Sequence, residues 1–569
     1  MKRAKTLISV SLIFVFLLQL VSCTHSTTTS SETSVTENTT TEEEPQEISE
    51  FTMFSTLWGI ESSSDGEIKK LIADKTGVLV HESFISGTDW NFNTLIDDML
   101  ALPDDSIPDI IYTTFDAHKL YESGRAVAWD QYLEKYPRLK ELHTDEEWDK
   151  LRQEDGHIYW ADFEDCFKDK DTSVTHIGDA FWIQVRVLEW AGYPKIETLD
   201  EYFDLLERYS EEYPVLPDGT EVIPYACSME TVPGKPAMYM EGYPDNDFAI
   251  VDNNNGDPKV IDYTTSDTSK NYFKKLNEEY EKGVLTSYPQ GQFNSYREDI
   301  SSGRVLGFFD NYSAIAQFTD TFSKPRTDVD GHKFYLSELG YDYVPLGLVS
   351  QKGMKQQYHS YNVMNDDWGL VVMDKCSDPD KVFEFFDALL DQEIHDLRFW
   401  GIKDVDYLVD DNGIYYRTEE MRNNWSDDHY CADHVCKYLG LPHWHGMRPE
   451  GFNRMISDEQ PSEFKATLPA PVAKCLDAYA ADNFVEMLDS EICDPYPWYP
   501  LGTWIENMDK TSPYYNTFNE INSFKEEWFN LLITSSDFNK EWETFISEYS
   551  KLETQGLFDA AQEEVENRL

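Results

Sequence analysis

Residues 51–84 read FTMFSTLWGIESSSDGEIKKLIADKTGVLVHESF, and this stretch decides the fold class. The apolar run Phe51–Trp58 predicts a first strand, and Val78–Phe84 predicts a second strand. Between them, Glu67–Lys75 has the apolar spacing of a helix, and Gly77 stands just past its end. Because strand and helical patterns alternate, the stretch indicates an α/β fold.

The same alternation continues along the chain. A helix is predicted at Phe92–Ala101 and a third strand at Pro108–Tyr112. Thr198–Glu201 has the pattern of a capping box, and Ser377–Asp380 begins another helix with proline in its first turn. A final amphipathic helix is predicted from the spacing of four apolar residues near the C-terminus: Trp542, Phe545, Ile546 and Tyr549.

Composition limits the number of domains and the classes of partner. About 520 of the 569 residues follow the polar N-terminal tract, a length that predicts at least two domains. A hydrophobic content of 40% and an aromatic content of 14% are typical of a well-packed globular protein. The formal net charge of −60 repels nucleic acid and anionic membrane surfaces, so neither is expected as a partner.

The N-terminus has the features of a secretory signal. Lys2, Arg3 and Lys5 precede a short apolar core, and the sequence then turns polar at Cys23. Leu20-Val21-Ser22-Cys23 resembles a bacterial lipobox, although an ordinary signal peptide with a coincidental cysteine is the alternative. We therefore predict a signal peptide at 1–22, an acylated Cys23, and a disordered Ser/Thr/Glu tether over 23–50.

The remaining cysteines do not predict a disulfide framework. Seven are left after Cys23, an odd number without tight spacing. We expect mostly free, buried thiols, although one pair could form a bridge.

Several local signatures follow one another in a recognisable order. They are Met99-Leu100-Ala101 with Pro108–Ile111, Leu120–Gly124 with Trp129–Leu133, Asp155–Tyr159, Gly303–Gly307, and Phe399–Ile402 with Tyr407 and Asp411–Gly413. In this order, from Phe51 almost to Leu569, the chain is similar to the family 1 extracellular solute-binding lipoproteins of bacterial ABC importers. The resemblance is greatest to the long, oligosaccharide-type members of Gram-positive bacteria.

The resemblance implies a two-lobed, periplasmic-binding-protein-like fold of type II, in which hinge-connected lobes are built from discontinuous segments. It places 51–165 and 315–420 in lobe 1, and 166–314 and 421–569 in lobe 2. It implies a monomer, lipid-anchored on the extracytoplasmic face of the cell membrane, that passes a captured oligosaccharide to ABC permease subunits. No catalytic residue and no cofactor are expected. A surface glycoside-active enzyme and a non-transport surface receptor are the alternatives.

The chain departs from the family pattern at two places. Gln184-Val185-Arg186 stands where many relatives have Arg-Lys-Asp, so any role of that ion pair is in doubt. Pro217–Glu221 offers too few oxygen ligands for the calcium loop that some relatives carry. No metal is expected there.

Candidate ligand contacts follow the predicted strands, where aromatic planes can cover sugar faces and carboxylates or amides can bind hydroxyls. Two groups combine these chemistries, Asp89-Trp90-Asn91 and Asp310-Asn311-Tyr312. For a single aromatic residue, a core or surface position is the more common alternative. The complete set of predicted contacts is Trp58, Asp89, Trp90, Asn91, Tyr112, Trp160, Asp310, Asn311, Tyr312, Trp368 and Trp444.

A competing signal is a group of six potential zinc ligands within 17 residues. Their spacing is not that of a zinc finger, and a polar loop explains the His-Trp-His stretch equally well, so we expect no metal but leave the question open. The six are His429, Cys431, His434, Cys436, His443 and His445.

Overall fold

The computed structural model describes most of the chain after the predicted tether. The described residues are 48–57, 59–85, 94–164, 172–230, 234–360, 364–445, 456–490, 496–506 and 508–569. No helix among them combines the length and the apolar character that crossing a bilayer requires.

The described strands build two five-stranded sheets and three two-stranded hairpins. In chain order the strands are β1 (Ser49–Ser55), β2 (Val78–Phe84), β3 (Ile110–Thr113), β4 (Trp160–Ala161), β5 (Asp179–Gln184), β6 (Ile223–Ser228), β7 (Ile250–Asp252), β8 (Lys259–Ile261), β9 (Leu285–Tyr288), β10 (Val305–Asn311), β11 (Arg326–Thr327), β12 (Lys333–Phe334), β13 (Tyr343–Leu346), β14 (Gly369–Val372), β15 (Leu408–Val409) and β16 (Tyr415–Tyr416).

Both large sheets mix parallel and antiparallel pairs. The first sheet has the order β2-β1-β3-β14-β4, and only β14 runs against its neighbours. The second sheet has the order β13-β5-β10-β6-β9, with β5 antiparallel to both of its neighbours. The predicted α/β class is confirmed.

Helices pack on the sheets and make up the regular structure of the described chain after β16. In chain order they are α1 (Glu67–Thr76), α2 (Leu95–Leu100), α3 (Ala117–Glu122), α4 (Asp130–Lys135), α5 (Pro137–Lys140), α6 (Asp145–Lys150), α7 (Val185–Trp190), α8 (Leu199–Glu212), α9 (Lys235–Met240), α10 (Asp267–Lys282), α11 (Phe293–Ser301), α12 (Tyr312–Thr319), α13 (Pro379–Ala388), α14 (Gln392–Phe399), α15 (Glu419–Trp425), α16 (Asp428–Asp433), α17 (Pro461–Thr467), α18 (Ala470–Ala478), α19 (Phe484–Leu488), α20 (Gly502–Glu506), α21 (Pro513–Thr534), α22 (Phe538–Tyr549) and α23 (Gln555–Asn567). Single 3₁₀ turns lie at Asp104–Ser106, Ser337–Leu339 and Ser457–Glu459.

Local signals in the sequence set several of these boundaries. The helix α1 ends at Gly77, whose φ of 69° is in the left-handed region that glycine adopts without strain. Thr198 and Glu201 form the predicted capping box at the start of α8. The helix predicted from Trp542 to Tyr549 is α22, but it is not the final one, because α23 follows and buries its own apolar face.

Each large sheet lies in its own hydrophobic core, and each core is built from two separate stretches of chain. The first core takes buried residues from 51–163 and 370–441. The second takes them from 180–358 and 472–545. We call the parts around the first and second sheets the first and second lobes.

The lobe boundaries differ from those given in the sequence analysis. The chain was expected to return to the first lobe near residue 315, yet β13 pairs with β5 at the edge of the second sheet. It was expected to leave the first lobe near residue 421, yet Cys436, Tyr438 and Leu441 are buried in the first core. Both boundaries lie later because the apolar edge strand β13 and the buried 436–441 stretch each complete a core before the chain crosses.

Two of the connections between the lobes fix which edges of the sheets face each other. The first crossover, residues 162–178, leaves the end of β4 and enters the start of β5. The second crossover, residues 347–368, leaves the end of β13 and enters the start of β14. At the first sheet, the start of β14 pairs with the end of β3, where β1 also ends.

At the second sheet, the start of β5 pairs with the end of β10. The strands β6 and β9 run parallel to β10, so they end at that edge too. Both crossovers therefore join the carboxyl ends of the parallel strands of one sheet to those of the other. We call these the first and second cleft edges, because the space between them is the cleft between the lobes.

Candidate functional site

The second cleft edge carries a lysine surrounded by three carboxylates. Lys235, in the first turn of α9, places its Nζ 2.8 Å from Asp245, 3.7 Å from Asp179 and 3.7 Å from Asp247. Tyr239 also donates to Asp245, over 3.0 Å. Because one ammonium faces three carboxylates, the cluster has an excess of negative charge at neutral pH.

Burial and this excess charge change the acidity of Asp179. Burial, with a smaller contribution from the charge of Asp245, raises the pKa of its carboxyl to about 6 against the opposing effect of Lys235. The Asp179 carboxyl is therefore partly protonated at mildly acidic pH.

Asp310 lies at the same edge, at the end of β10, and only 4% of its surface is exposed. One carboxylate oxygen accepts a hydrogen bond from the Tyr296 hydroxyl over 3.0 Å, and the other accepts from the Asn311 backbone over 2.9 Å. Burial raises the pKa of Asp310 to about 7, with a smaller contribution from the charge of Asp179.

The two residues after Asp310 are more accessible. Asn311 is exposed at the last position of β10, and Tyr312 begins α12 half-buried. The Tyr312 ring lies 6.1 Å from the Trp182 ring and 6.4 Å from the Phe484 ring, so it is held by the second core. An amide and a supported aromatic ring thus stand together at the cleft edge.

A cavity of ≈ 240 Å³ opens where β6 and β9 end and α21 packs across them. Lys235 and Asp247 line it together with Gln290, which follows β9. Tyr263 and Phe518 supply aromatic walls. Polar donors and acceptors on one side and aromatic rings on the other are the arrangement that small polar ligands require.

The first cleft edge offers hydroxyls and an aromatic ring. The Thr56 and Thr114 hydroxyls, which follow β1 and β3, are 3.1 Å apart and hydrogen-bonded to each other. Trp368 is half-buried directly before β14. Its neighbour Asp367 accepts hydrogen bonds from the backbone and the ring of His118, over 3.1 Å and 2.8 Å, which fixes the end of the second crossover.

Comparison with solved structures shows which fold the chain has. The chain matches an HMO-binding, ABC-transporter-associated solute-binding protein from Bifidobacterium longum infantis with a TM-score of 0.58 and 14% identity, over 91% of this chain and 98% of that one. It matches a Streptococcus pneumoniae ABC-transporter substrate-binding protein in complex with kestose with a TM-score of 0.56 and 14% identity, over 91% and 99%. The chain has the solute-binding protein fold.

A third solute-binding protein gives the same result. This extracellular protein from Bifidobacterium longum subsp. infantis matches with a TM-score of 0.54 and 14% identity, over 92% of this chain and 98% of that chain. No protein-family model matches the sequence. No curated protein matches it either. The two-lobed type II architecture predicted from the sequence is therefore confirmed at the level of the fold.

Within the solute-binding protein fold, three of the predicted aromatic contacts are buried, two of them in the first core. Tyr112 is fully buried and donates to Asp162 over 2.9 Å. The Trp160 and Trp444 ring nitrogens donate to backbone carbonyls of Asp366 and Leu390, over 2.8 Å and 3.2 Å. In this conformation all three rings are buried, and a direct role in ligand binding stays a prediction.

Other predicted contacts are distributed between the cleft edges. The structure brings Asp310, Asn311 and Tyr312 together at the second edge and places Trp368 at the first. Four predicted contacts lie outside the described residues: Trp58, Asp89, Trp90 and Asn91.

The six potential zinc ligands do not form one group. His434 pairs instead with Asp406 over 2.9 Å, and Cys436 is a buried thiol whose pKa burial raises to about 12. His443 and His445 come together with Glu164 in a group of three potential metal ligands. The described cysteines with free thiols are Cys227, Cys376, Cys431, Cys436 and Cys475.

Sequence reasoning missed the Lys235 cluster and most of the cavity. Glu230 follows β6, so the largely apolar run at 223–228 was a signal that could have found it, whereas the β9 sequence Leu-Thr-Ser-Tyr before Gln290 is a weaker one. Phe518 and Lys525 come from α21, more than 200 residues further along the chain. No local pattern in α21 indicates that it packs on this edge.

Proposed function

We propose that this chain is an extracytoplasmic solute-binding lipoprotein that captures an oligosaccharide between its lobes and delivers it to an ABC permease. The observation that carries the proposal is that both crossovers join the cleft edges, because ligands of α/β folds bind at the carboxyl ends of the strands. The kestose complex supports a carbohydrate ligand, since that protein shares the fold over almost its whole length.

The chemistry of the two edges suits a sugar. Sugars offer apolar C–H faces to aromatic rings and hydroxyls to carboxylates and amides. Tyr312 and Trp368 would supply rings from opposite lobes, and Asn311 and Asp310 would supply polar partners. Contacts from both lobes are what a closing cleft needs, because a ligand favours closure only through interactions that are better in the closed state.

A thermal-shift screen of the purified chain against a panel of oligosaccharides tests the proposal. A ligand at about 100 times its dissociation constant adds about 2.7 kcal/mol to the free energy of unfolding, which raises the melting temperature. We expect the active glycan to be recovered chemically unchanged after prolonged incubation. Cleaved glycan would support the glycoside-active alternative, and the absence of any shift across the panel would contradict an oligosaccharide ligand.

The first-lobe side of the proposed site is tested through Trp368. Trp368→Ala is expected to weaken glycan binding by about 1–3 kcal/mol, roughly ten- to hundredfold, because a ring that covers a sugar face is lost. Titration calorimetry with the glycan from the screen measures the change. Trp190→Ala is the matched control, since Trp190 is also half-buried but packs against Tyr209 in the second core. Equal affinity of wild type and Trp368→Ala would exclude Trp368 from the site.

The lipid anchor is tested separately through Cys23. We expect Cys23→Ala to move the protein from the membrane fraction to the medium, or to leave it unprocessed, because an acylated N-terminal cysteine would be the anchor. Fractionation and intact mass of the expressed chain measure this. A Cys23→Ala variant that stays in the membrane fraction with the mass expected from the substitution alone would rule out the lipoprotein proposal.

A further inference from the structure

The side chains of His443 and His445 lie together, although Trp444 separates the two residues in the sequence. The Trp444 ring nitrogen donates to the Leu390 carbonyl over 3.2 Å, so the Trp444 side chain is directed into the first lobe. The two imidazole rings have centroids 4.2 Å apart. His443 is only 4% exposed, so the pair lies inside the protein rather than on its surface.

A carboxylate from the first crossover completes the group. Glu164 follows β4, and its carboxylate lies with one nitrogen of each imidazole so that all three ligand atoms are within 4.8 Å of one another. The Gly440 backbone donates to one Glu164 oxygen over 2.8 Å and fixes the carboxylate. Burial raises the pKa of Glu164 and lowers that of His443, which leaves the latter as a neutral imidazole.

The other nitrogen of each ring has its own partner. The Nδ1 of His443 lies 3.0 Å from the Leu441 carbonyl, and the Nδ1 of His445 pairs with Glu459. A proton held at Nδ1 leaves Nε2 of each ring as the atom that can bind a metal. Histidine ligands of zinc are held in this way, by a carbonyl or a carboxylate on the second nitrogen.

We propose that Glu164, His443 and His445 form a binding site for Zn²⁺. Two imidazoles and one carboxylate are a recognised three-ligand set for tetrahedral zinc, with the fourth position left for water. Calcium and magnesium prefer sites built from oxygen alone, so the two imidazoles favour a transition metal. The dication also balances two largely buried carboxylates, Glu164 and Glu459, at the point where the first crossover leaves its sheet.

The site would tie separate connections between the lobes. Glu164 belongs to the first crossover, whereas His443 and His445 lie just after the last part of the first core, on the way to the second. Glu459 extends the link, because it accepts a hydrogen bond from Thr172 of the first crossover over 3.2 Å. A bound zinc would therefore restrain the region about which the lobes are connected.

Zinc titration of the chelator-treated full chain tests the proposal. We expect one Zn²⁺ to bind per chain by titration calorimetry with ZnCl₂, and the melting temperature to rise with zinc concentration. Glu164→Gln and His443→Asn, which keep much of the side-chain volume, should each weaken binding at least 100-fold. His118→Ala is the matched control, because His118 lies in a half-exposed group with Asp116 and Asp367; its zinc affinity should equal that of wild type.

A measurement on the unaltered chain keeps the test independent of folding in the variants. X-ray absorption at the zinc edge should show two imidazole nitrogens at about 2.0–2.1 Å and light oxygen ligands. No saturable zinc binding, or a zinc site with sulfur ligands, would overturn the proposal. Zinc binding that survives Glu164→Gln and His443→Asn but is lost in His118→Ala would assign the metal to the half-exposed group. That result would also overturn the proposal.

Discussion

Lys235→Met is expected to lower the free energy of unfolding by about 2–4 kcal/mol at pH 8. The substitution removes the ammonium that lies within 4 Å of Asp179, Asp245 and Asp247 and so leaves most of their charge uncompensated. Breaking a fully buried ion pair costs about 3–5 kcal/mol. The expected loss is smaller here because Asp245 and Asp247 are only half-buried, so water screens part of the repulsion.

The loss should shrink as the pH falls. Without Lys235 the folded carboxylates bind protons more readily than the unfolded chain does, so the variant gains stability relative to wild type between about pH 8 and pH 5. Urea denaturation at both pH values measures the difference. Lys352→Met is the control, since Lys352 is paired with Glu201 but is 61% exposed, and its urea midpoint should hardly change. An equal loss at pH 5 and pH 8 would show that Lys235 stabilises the fold by packing rather than by charge.

The fold could be predicted from the sequence wherever local signals were strong. The β1-α1-β2 unit has regular apolar spacing and a glycine at its helix end, and the structure reproduces its boundaries to within three residues. The capping box of α8 is equally local. The expected return to the first lobe near residue 315 differs from the structure, because β13 is a four-residue strand whose assignment depends on pairing with β5, more than 150 residues earlier. Such pairing leaves no local pattern.

The candidate site was predictable only in part, for a similar reason. Asp310, Asn311 and Tyr312 directly follow a strand, and strand ends are where ligands bind in α/β folds. Tyr112 also sits at the end of its strand, yet the first lobe buries its ring completely. Residue type and position alone do not distinguish a ring that faces the cleft from one that faces the core. The Lys235 cluster required the tertiary structure, because its carboxylates come from different segments.

Asp310 and Lys235 illustrate opposite electrostatic roles at one edge of the sheet. Lys235 offsets negative charge, whereas ionising Asp310 adds buried negative charge close to Asp179. Its pKa of about 7, against an ordinary value of 3.8, means that the folded chain holds a proton that the unfolded chain has already lost. Stability therefore falls as the pH rises from about 4 to about 7, and above that range the loss stops growing.

Asp310→Asn should consequently raise the free energy of unfolding by about 2–3 kcal/mol at pH 8 and change it little at pH 4. A pKa of about 7 in place of 3.8 means that ionised Asp310 lowers the free energy of unfolding by about 4 kcal/mol. The loss of one carboxylate hydrogen bond in the variant offsets about 1 kcal/mol of the expected gain. Urea denaturation from pH 4 to pH 8 measures the slope. Asp330→Asn, at an exposed turn, is the control and should follow the wild-type curve. A variant destabilised equally at all pH values would show instead that the bonds to Tyr296 and Asn311 dominate.

The same variant also separates stability from binding. If Asp310 accepts hydroxyls of the proposed glycan, Asp310→Asn should bind that glycan more weakly even though it unfolds less readily, because a neutral amide is a poorer acceptor than a carboxylate. Weaker glycan binding together with a higher free energy of unfolding is the result expected for a residue that is retained for function at a cost in stability. Tighter or equal glycan binding by the more stable variant would remove Asp310 from the site and leave only its electrostatic effect on the second sheet.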